Sequence, residues 1–285
     1  MTNGISDLVL AGGTGDSTDV HAVIAAAAAL PATVLARFRA SSARIVACRT
    51  SVTDFETSLR GVVPRGWEGL GRTWDSVPGT YLDGRKSVVI ATVAAGAGRQ
   101  VTPRGPTTHG AFSLVVHESM HGYDRLESHR VLQDPAFVAA RTADWAKLGG
   151  YERQAGMAGL EETYAESASR YFGGDPALPA DWPNLRAYWH SAALEAALTD
   201  VALSEPGGPL PELPPSEPGG PLGTVRFDDS RTIYLDLRAE GPDGAIGHAA
   251  LEFREGDPVH ERLSNHLTSS AAFEEGPLLF YPLGD

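Results

Sequence analysis

The stretch Val115–Val116–His117–Glu118–Ser119–Met120–His121 decides how the rest of the chain is read. Two histidines stand four residues apart, with a glutamate directly after the first. On a helix this spacing puts both imidazoles on one face, close enough to share one ion. Neutral imidazole suits Zn²⁺, and Glu118 would stand beside the ion as a proton acceptor. Read alone, the pattern also fits three polar residues that fell together on a core helix. What separates the two readings is a third ligand.

Candidates for that ligand lie in GLEETYAESASRYF, residues 159–172. Glu162 and Glu166 are again four apart, on a helix expected over 159–172 and closed by Gly173–Gly174. Catalytic zinc sites commonly combine two histidines with one carboxylate and leave a fourth position for water. Glu162 is the expected metal ligand. Glu166, one turn on, is expected to hold a ligand histidine by hydrogen bonding. The competing reading is a solvated acidic face made of Glu161, Glu162 and Glu166.

Composition bounds the partners. The chain has 285 residues, 42% hydrophobic and 21% charged, with a formal net charge of −13. That is ordinary for a globular protein and argues against nucleic acid or anionic lipid as the main partner. No stretch has the roughly 20 apolar residues of a membrane span. The Ala-rich run over 20–38 is interrupted by Pro31 and reads as core helix rather than as a signal peptide. Localisation stays open between export without a leader, delivery as an effector, and the cytoplasm. Cys48 is the single cysteine, so no disulfide can form within the chain, and it is expected to be a buried small hydrophobe.

Along the chain, residues 1–17 read as a flexible N-terminus and 18–203 as one α+β domain. A helix from Ser17 or Thr18 to about Leu30, a second opened by Pro31, strands at ARIVACRTSV and KSVVIATV, and a long functional loop over 94–110 are expected. Helices follow at 111–129, 135–147, 159–172 and 184–203. EPGGPL occurs twice within 204–223, which reads as a Pro/Gly linker. Residues 224–285 are expected to form a small β-rich accessory domain with few contacts to the first.

Four stretches carry a resemblance. LPATVLARFRASSARIVACRTSVTDF, PRGWEGLGRTWDSVPG, LVVHESMHGYD and EETYAESASRYF occur in the order found in the anthrax-lethal-factor-type peptidases. The chain most resembles their Pro-Pro endopeptidase branch. The resemblance implies a zincin-like fold, with a small sheet above the active-site helix and a helical subdomain below. It implies Zn²⁺ on His117, His121 and Glu162, with Glu118 as general base to a metal-activated water. It assigns an oxyanion-stabilising hydroxyl to Tyr151, although the Tyr151–Glu162 spacing is longer than the family's. It places Trp74 against a substrate proline, with Arg72 and Glu161 as further substrate contacts.

The expected activity is therefore zinc-dependent endopeptidase, a metalloprotease acting as a monomer on a proline-rich protein or peptide and selective for Pro-Pro bonds. The substrate is expected to lie extended along the edge of strand KSVVIAT. The alternatives are a zinc peptidase of other, toxin- or effector-like specificity, and a non-catalytic interaction protein on a peptidase fold. His109, His129 and His190 are expected to be surface or capping residues.

Overall fold

The computed structural model describes residues 4–154, 156–198, 222–269 and 278–283. In chain order the elements are β1 (Val9–Ala11), α1 (Ser17–Ala27), α2 (Ala32–Ala40), β2 (Arg44–Cys48), β3 (Gly79–Leu82), β4 (Ser87–Ala95), β5 (Gly98–Val101), α3 (Leu114–Leu126), α4 (Pro135–Asp144), α5 (Gly156–Phe172), α6 (Leu178–Asp181), α7 (Pro183–Leu198), β6 (Gly223–Phe227), β7 (Ile233–Glu240), β8 (Ile246–Phe253), α8 (His260–Ser269) and β9 (Leu278–Phe280). Helices and strands mix in one fold, α+β as expected. Among the described residues no helix is long and apolar enough to cross a membrane.

Local signals explain most of the first half. Asp16, rather than Ser17 or Thr18, caps α1, and its capping box is closed by Asp19. Pro31 precedes α2, where its fixed φ and missing N–H cost nothing. The β-branched runs become β2 and β4, paired in parallel from Arg44↔Ser87 to Cys48↔Ala91. Both are buried, as parallel strands covered on two faces must be. Cys48 lies fully buried, and burial pushes its thiol up to about 12.

Three expectations are corrected by the sheet. The described part of the expected flexible N-terminus, residues 4–17, is tied down: β1 pairs with β2, and Ile5, Leu8 and Val9 enter the core. The long loop over 94–110 contains β5, which turns back on the end of β4. Strand β4 has no free edge over Ser87–Ile90, where β2 and β3 pair with its two sides, and Thr92–Ala95 pair with β5.

The largest difference concerns 224–285. Its strands do not stand apart; they continue the first sheet in the order β1-β2-β4-β3-β8-β7-β6-β9. Strand β8 pairs antiparallel with β3 through Gly79↔His248, Thr80↔Gly247 and Tyr81↔Ile246. The expected small sheet thus has nine strands among the described residues. The repeated Pro/Gly stretch lies almost wholly outside the described residues. A composition break marks a change of local chain stiffness, not an absence of contacts further on.

The sheet separates two cores. On one face lie α1, α2, α3, α5 and α7, with Phe38, Tyr81, Val116, Met120, Phe137 and Trp189 among the buried residues. On the other, Trp67, Trp74 and Leu59 pack with Ile233, Leu235, Leu237, Leu251 and Phe253 of the C-terminal strands. Both indoles are fully buried. Trp74→Ala is therefore expected to lower unfolding free energy by about 3–5 kcal/mol, as for other large-to-small core changes. Chemical denaturation checks this, and a loss under 1 kcal/mol would contradict this packing.

Candidate metal centre and peptidase site

Helix α3 crosses beneath β3 and is held there by two glycines. A Cβ at Gly122 would lie 2.9 Å from the Tyr81 ring, and one at Gly79 would lie 3.0 Å from Glu118 Cγ. Only glycine lets helix and strand approach this closely. The α3 helix thus presents His117, Glu118 and His121 directly below the sheet, with α5 packed alongside.

The three expected ligands converge. His117 Nε2 faces His121 Nε2 at 3.1 Å, and Glu162 Oε2 lies 3.3 Å from the first and 3.4 Å from the second. A tetrahedron with ligands about 2.0 Å from its centre has edges of about 3.3 Å, so the donor set fits Zn²⁺. Glu162 Oε2 is buried and accepts no well-formed hydrogen bond. Two imidazole nitrogens and a bare carboxylate oxygen converging among buried side chains is a cation-binding arrangement. These residues could hold a metal ion.

Glu166 hydrogen-bonds His117 Nδ1 at 3.1 Å and accepts from the Phe112 amide at 3.0 Å. It fixes the tautomer that turns His117 Nε2 inward. Glu118 does not pair with anything: both carboxylate oxygens are buried and without hydrogen bonds. Burial pushes its carboxyl up to about 7, with His117 and His248 pulling the other way. Burial opposes the Glu162 charge too, but His121 and Arg238 outweigh it and hold that carboxyl well below its ordinary value.

Tyr151 arrives from the segment before α5. Its hydroxyl is buried without a partner, and burial holds its pKa well above the ordinary value. The ring stacks on His248, centroids 4.6 Å apart at 16°. Glu161 is not a solvated acid. Arg125 reaches one of its oxygens at 3.0 Å and Arg238 takes the other. The Asp124, His129 and Glu161 group could also hold a metal by spacing. With two guanidiniums on Glu161, its charge is already matched.

The structure places other expected substrate residues away from any open cleft. Trp74 is walled in by β7–β8, where a Cβ at Gly241 or Gly247 would come within 2.8 or 3.2 Å of the indole. Arg72 stacks over Phe253 at 5.5 Å on the far face of the sheet. His109, expected at the surface, is buried and bonds the Thr102 carbonyl at 2.8 Å. His129 pairs with Asp124 at 2.7 Å and His190 with the Tyr171 hydroxyl at 3.3 Å.

Three residues around the centre were not among the expected ones. Arg238 on β7 stands opposite His248 on β8, which stands opposite Gly79 on β3. This row faces α3 and α5. Arg238 binds Glu161 and Glu162. His248 bonds Asp236 at 2.6 Å, and its ring lies 5.4 Å from that of His117. Their signal in sequence is the alternation Ile233, Leu235, Leu237, Ala239, which buries one face and ordinarily leaves Asp236 and Arg238 to solvent.

No family model matches the chain. Individual proteins do. A Pro-Pro endopeptidase of Clostridioides difficile is 32% identical over 164 residues, covering 56% of this chain and 68% of that protein. The chain belongs to the Pro-Pro endopeptidase family. A second member, from Paenibacillus alvei, is 36% identical over 120 residues, 41% of this chain and 48% of that one, so the chain spans about half of it. The solved structure of a Pro-Pro endopeptidase from Paenibacillus alvei superposes with a TM-score of 0.52 at 25% identity. It is covered over 98% of its length by 66% of this chain. Membership of the Pro-Pro endopeptidase family makes the chain a peptidase, with a mixed sheet and helices in common with that relative.

Proposed function

We propose that this chain is a zinc-dependent endopeptidase selective for Pro-Pro bonds. The observation that carries the proposal is the convergence of His117, His121 and Glu162 within 3.1–3.4 Å of one another, beside an unpartnered Glu118. Zn²⁺ bound there would act as a Lewis acid, polarising the scissile carbonyl and acidifying the attacking water. Glu118 takes the proton of that water at its carboxylate and passes it to the leaving nitrogen. Tyr151 Oη donates a hydrogen bond to the oxyanion of the tetrahedral intermediate. Glu166 keeps His117 oriented throughout.

The substrate reading rests on family membership and on chemistry. A Pro-Pro bond offers no N–H on its leaving side, and φ is fixed near −65°. A site that accepts it replaces main-chain hydrogen bonding with ring packing. The names of both relatives supply the bond type. The test is a matched peptide pair. A peptide with Pro-Pro at the scissile position is expected to be cut at least about tenfold faster than its Ala-Ala counterpart, since ring packing of one apolar residue is worth about 1–3 kcal/mol. Equal rates would leave a zinc peptidase of other specificity.

A pH profile tests the base. Glu118 must be ionised, so kcat/KM should fall with unit slope as pH drops through its pKa. Burial raising it, against His117 and His248 lowering it, puts that pKa at about 7. A nearby dication favours the carboxylate, so in the metal-loaded enzyme the acidic limb should lie below 7. A limb above pH 7 would exclude Glu118 as the group observed.

A further inference from the structure

Strand β3 is the strand beside the catalytic helix: a Cβ at Gly79 would come within 2.7 Å of Leu114 and 3.0 Å of Glu118. An extended peptide binding next to Glu118 would add to the side of β3 away from β4, through main-chain hydrogen bonds. That side is taken by β8, antiparallel, over Ile246–Gly247–His248. The Thr80 hydroxyl adds a 2.6 Å bond to the Ile246 carbonyl. From β7, Arg238 reaches the Glu162 carboxylate, and His248 covers Tyr151. Gly241 and Gly247 cover Trp74.

The site is consequently shut. Glu118 and Glu162 are 0% exposed and His121 3%. A cavity of about 680 Å³ is lined by His117, Tyr151, Asp236 and His248, but not by Glu118, His121 or Glu162. The solved relative is matched over nearly its whole length by two-thirds of this chain, so a third of this chain lies outside that match.

We infer that the C-terminal strands β6–β9 hold this peptidase in a self-inhibited state, with β8 lying as a substitute substrate strand on β3 and Arg238 covering Glu162. A peptide reaches Glu118 when the β7–β8 hairpin moves off β3. The inference concerns the regulation of the site proposed above and rests on that reading. It is distinct from a tail that completes the site, because such a tail stays docked during turnover.

A reversible staple in the full chain separates the two. A Cβ at Gly244, on the hairpin turn, would lie 3.4 Å from Asp83 Cβ, next to the roughly 3.5–4.5 Å range of disulfides. The double variant Asp83→Cys, Gly244→Cys should close the hairpin on oxidation and free it in dithiothreitol. Oxidation is expected to slow Pro-Pro peptide cleavage by at least about tenfold, because cleavage scales with the open fraction and the staple removes it. In the same variant carrying Glu118→Gln, a fluorescent Pro-Pro peptide should bind only after reduction.

Equal binding in both redox states, or none in either, overturns the inference. Binding that switches with redox while no form cleaves would support self-inhibition and remove the peptidase reading instead. Gly247→Val gives an independent arm. Its Cβ would lie 2.6 Å from the Gly79 carbonyl oxygen and wedge β8 off β3. A folded Gly247→Val protein should cleave faster than wild type, and a slower one would show that β8 completes the site. If that variant does not fold, the staple decides.

Discussion

Glu118→Gln is expected to lower kcat by on the order of 10³–10⁴-fold, the upper part of what a positioned acid–base group contributes. The substitution keeps shape and volume while removing the proton-accepting oxygen. Both carboxylate oxygens of Glu118 lack partners, so no structural hydrogen bond is lost with them. Helix α3 and the three converging ligand atoms stay in place, and metal content should stay at about one equivalent per chain. Single-turnover cleavage with elemental analysis on the same sample checks both halves. A variant within tenfold of wild type would mean that another group moves the proton.

His121→Ala should have the opposite signature. It removes one of three ligands and leaves His117 and Glu162 facing a gap. Metal affinity should fall by more than the roughly 10–100-fold that follows loss of an outer partner such as Glu166. Metal content of the purified variant should drop well below one equivalent, and cleavage should fall to background. Retention of full metal with cleavage lost would move His121 out of the ligand set. Together the two variants separate proton transfer from metal holding, which activity alone does not.

The site was legible where chemistry is local in sequence. His117 and His121 share a helical turn, as do Glu162 and Glu166, so periodicity alone sets each pair on one face. That α3 and α5 would bring their pairs together followed from metal chemistry rather than from pattern. Arg238 and His248 escaped because nothing within reach of β7 marks its polar face as buried. An alternating strand reads the same whether its second face meets water or a catalytic helix. Trp74 was read as a substrate wall because the family resemblance placed it against a substrate proline. Burial by residues 167 and more positions later is invisible to any local window.

The fold shows the same division. Caps, glycine stops and β-branched runs located α1, α2, β2, β4, α3, α4, α5 and α7, but not α6 or α8. Partners of strands are a different matter. Strand β3 is four residues long, and nothing in Gly79–Leu82 says whether one side or both are paired. The Pro/Gly repeat argued for independence, whereas the shared core of Trp67, Leu59, Leu235 and Phe253 makes the two halves one packing unit.

The insertion of β8 between β3 and β7 also bears on synthesis. Thr80 and its partner Ile246 are 166 residues apart. At roughly 5–20 residues per second, β3 leaves the ribosome about 10–30 s before the strand that closes its side. For that interval the nascent chain carries an unpaired strand edge beside α3, and pairings of such long separation are slow to form. The newborn protein therefore passes through a stage in which the side of β3 later held by β8 is unpaired, and a chaperone or a peptide that prefers that edge would meet it then.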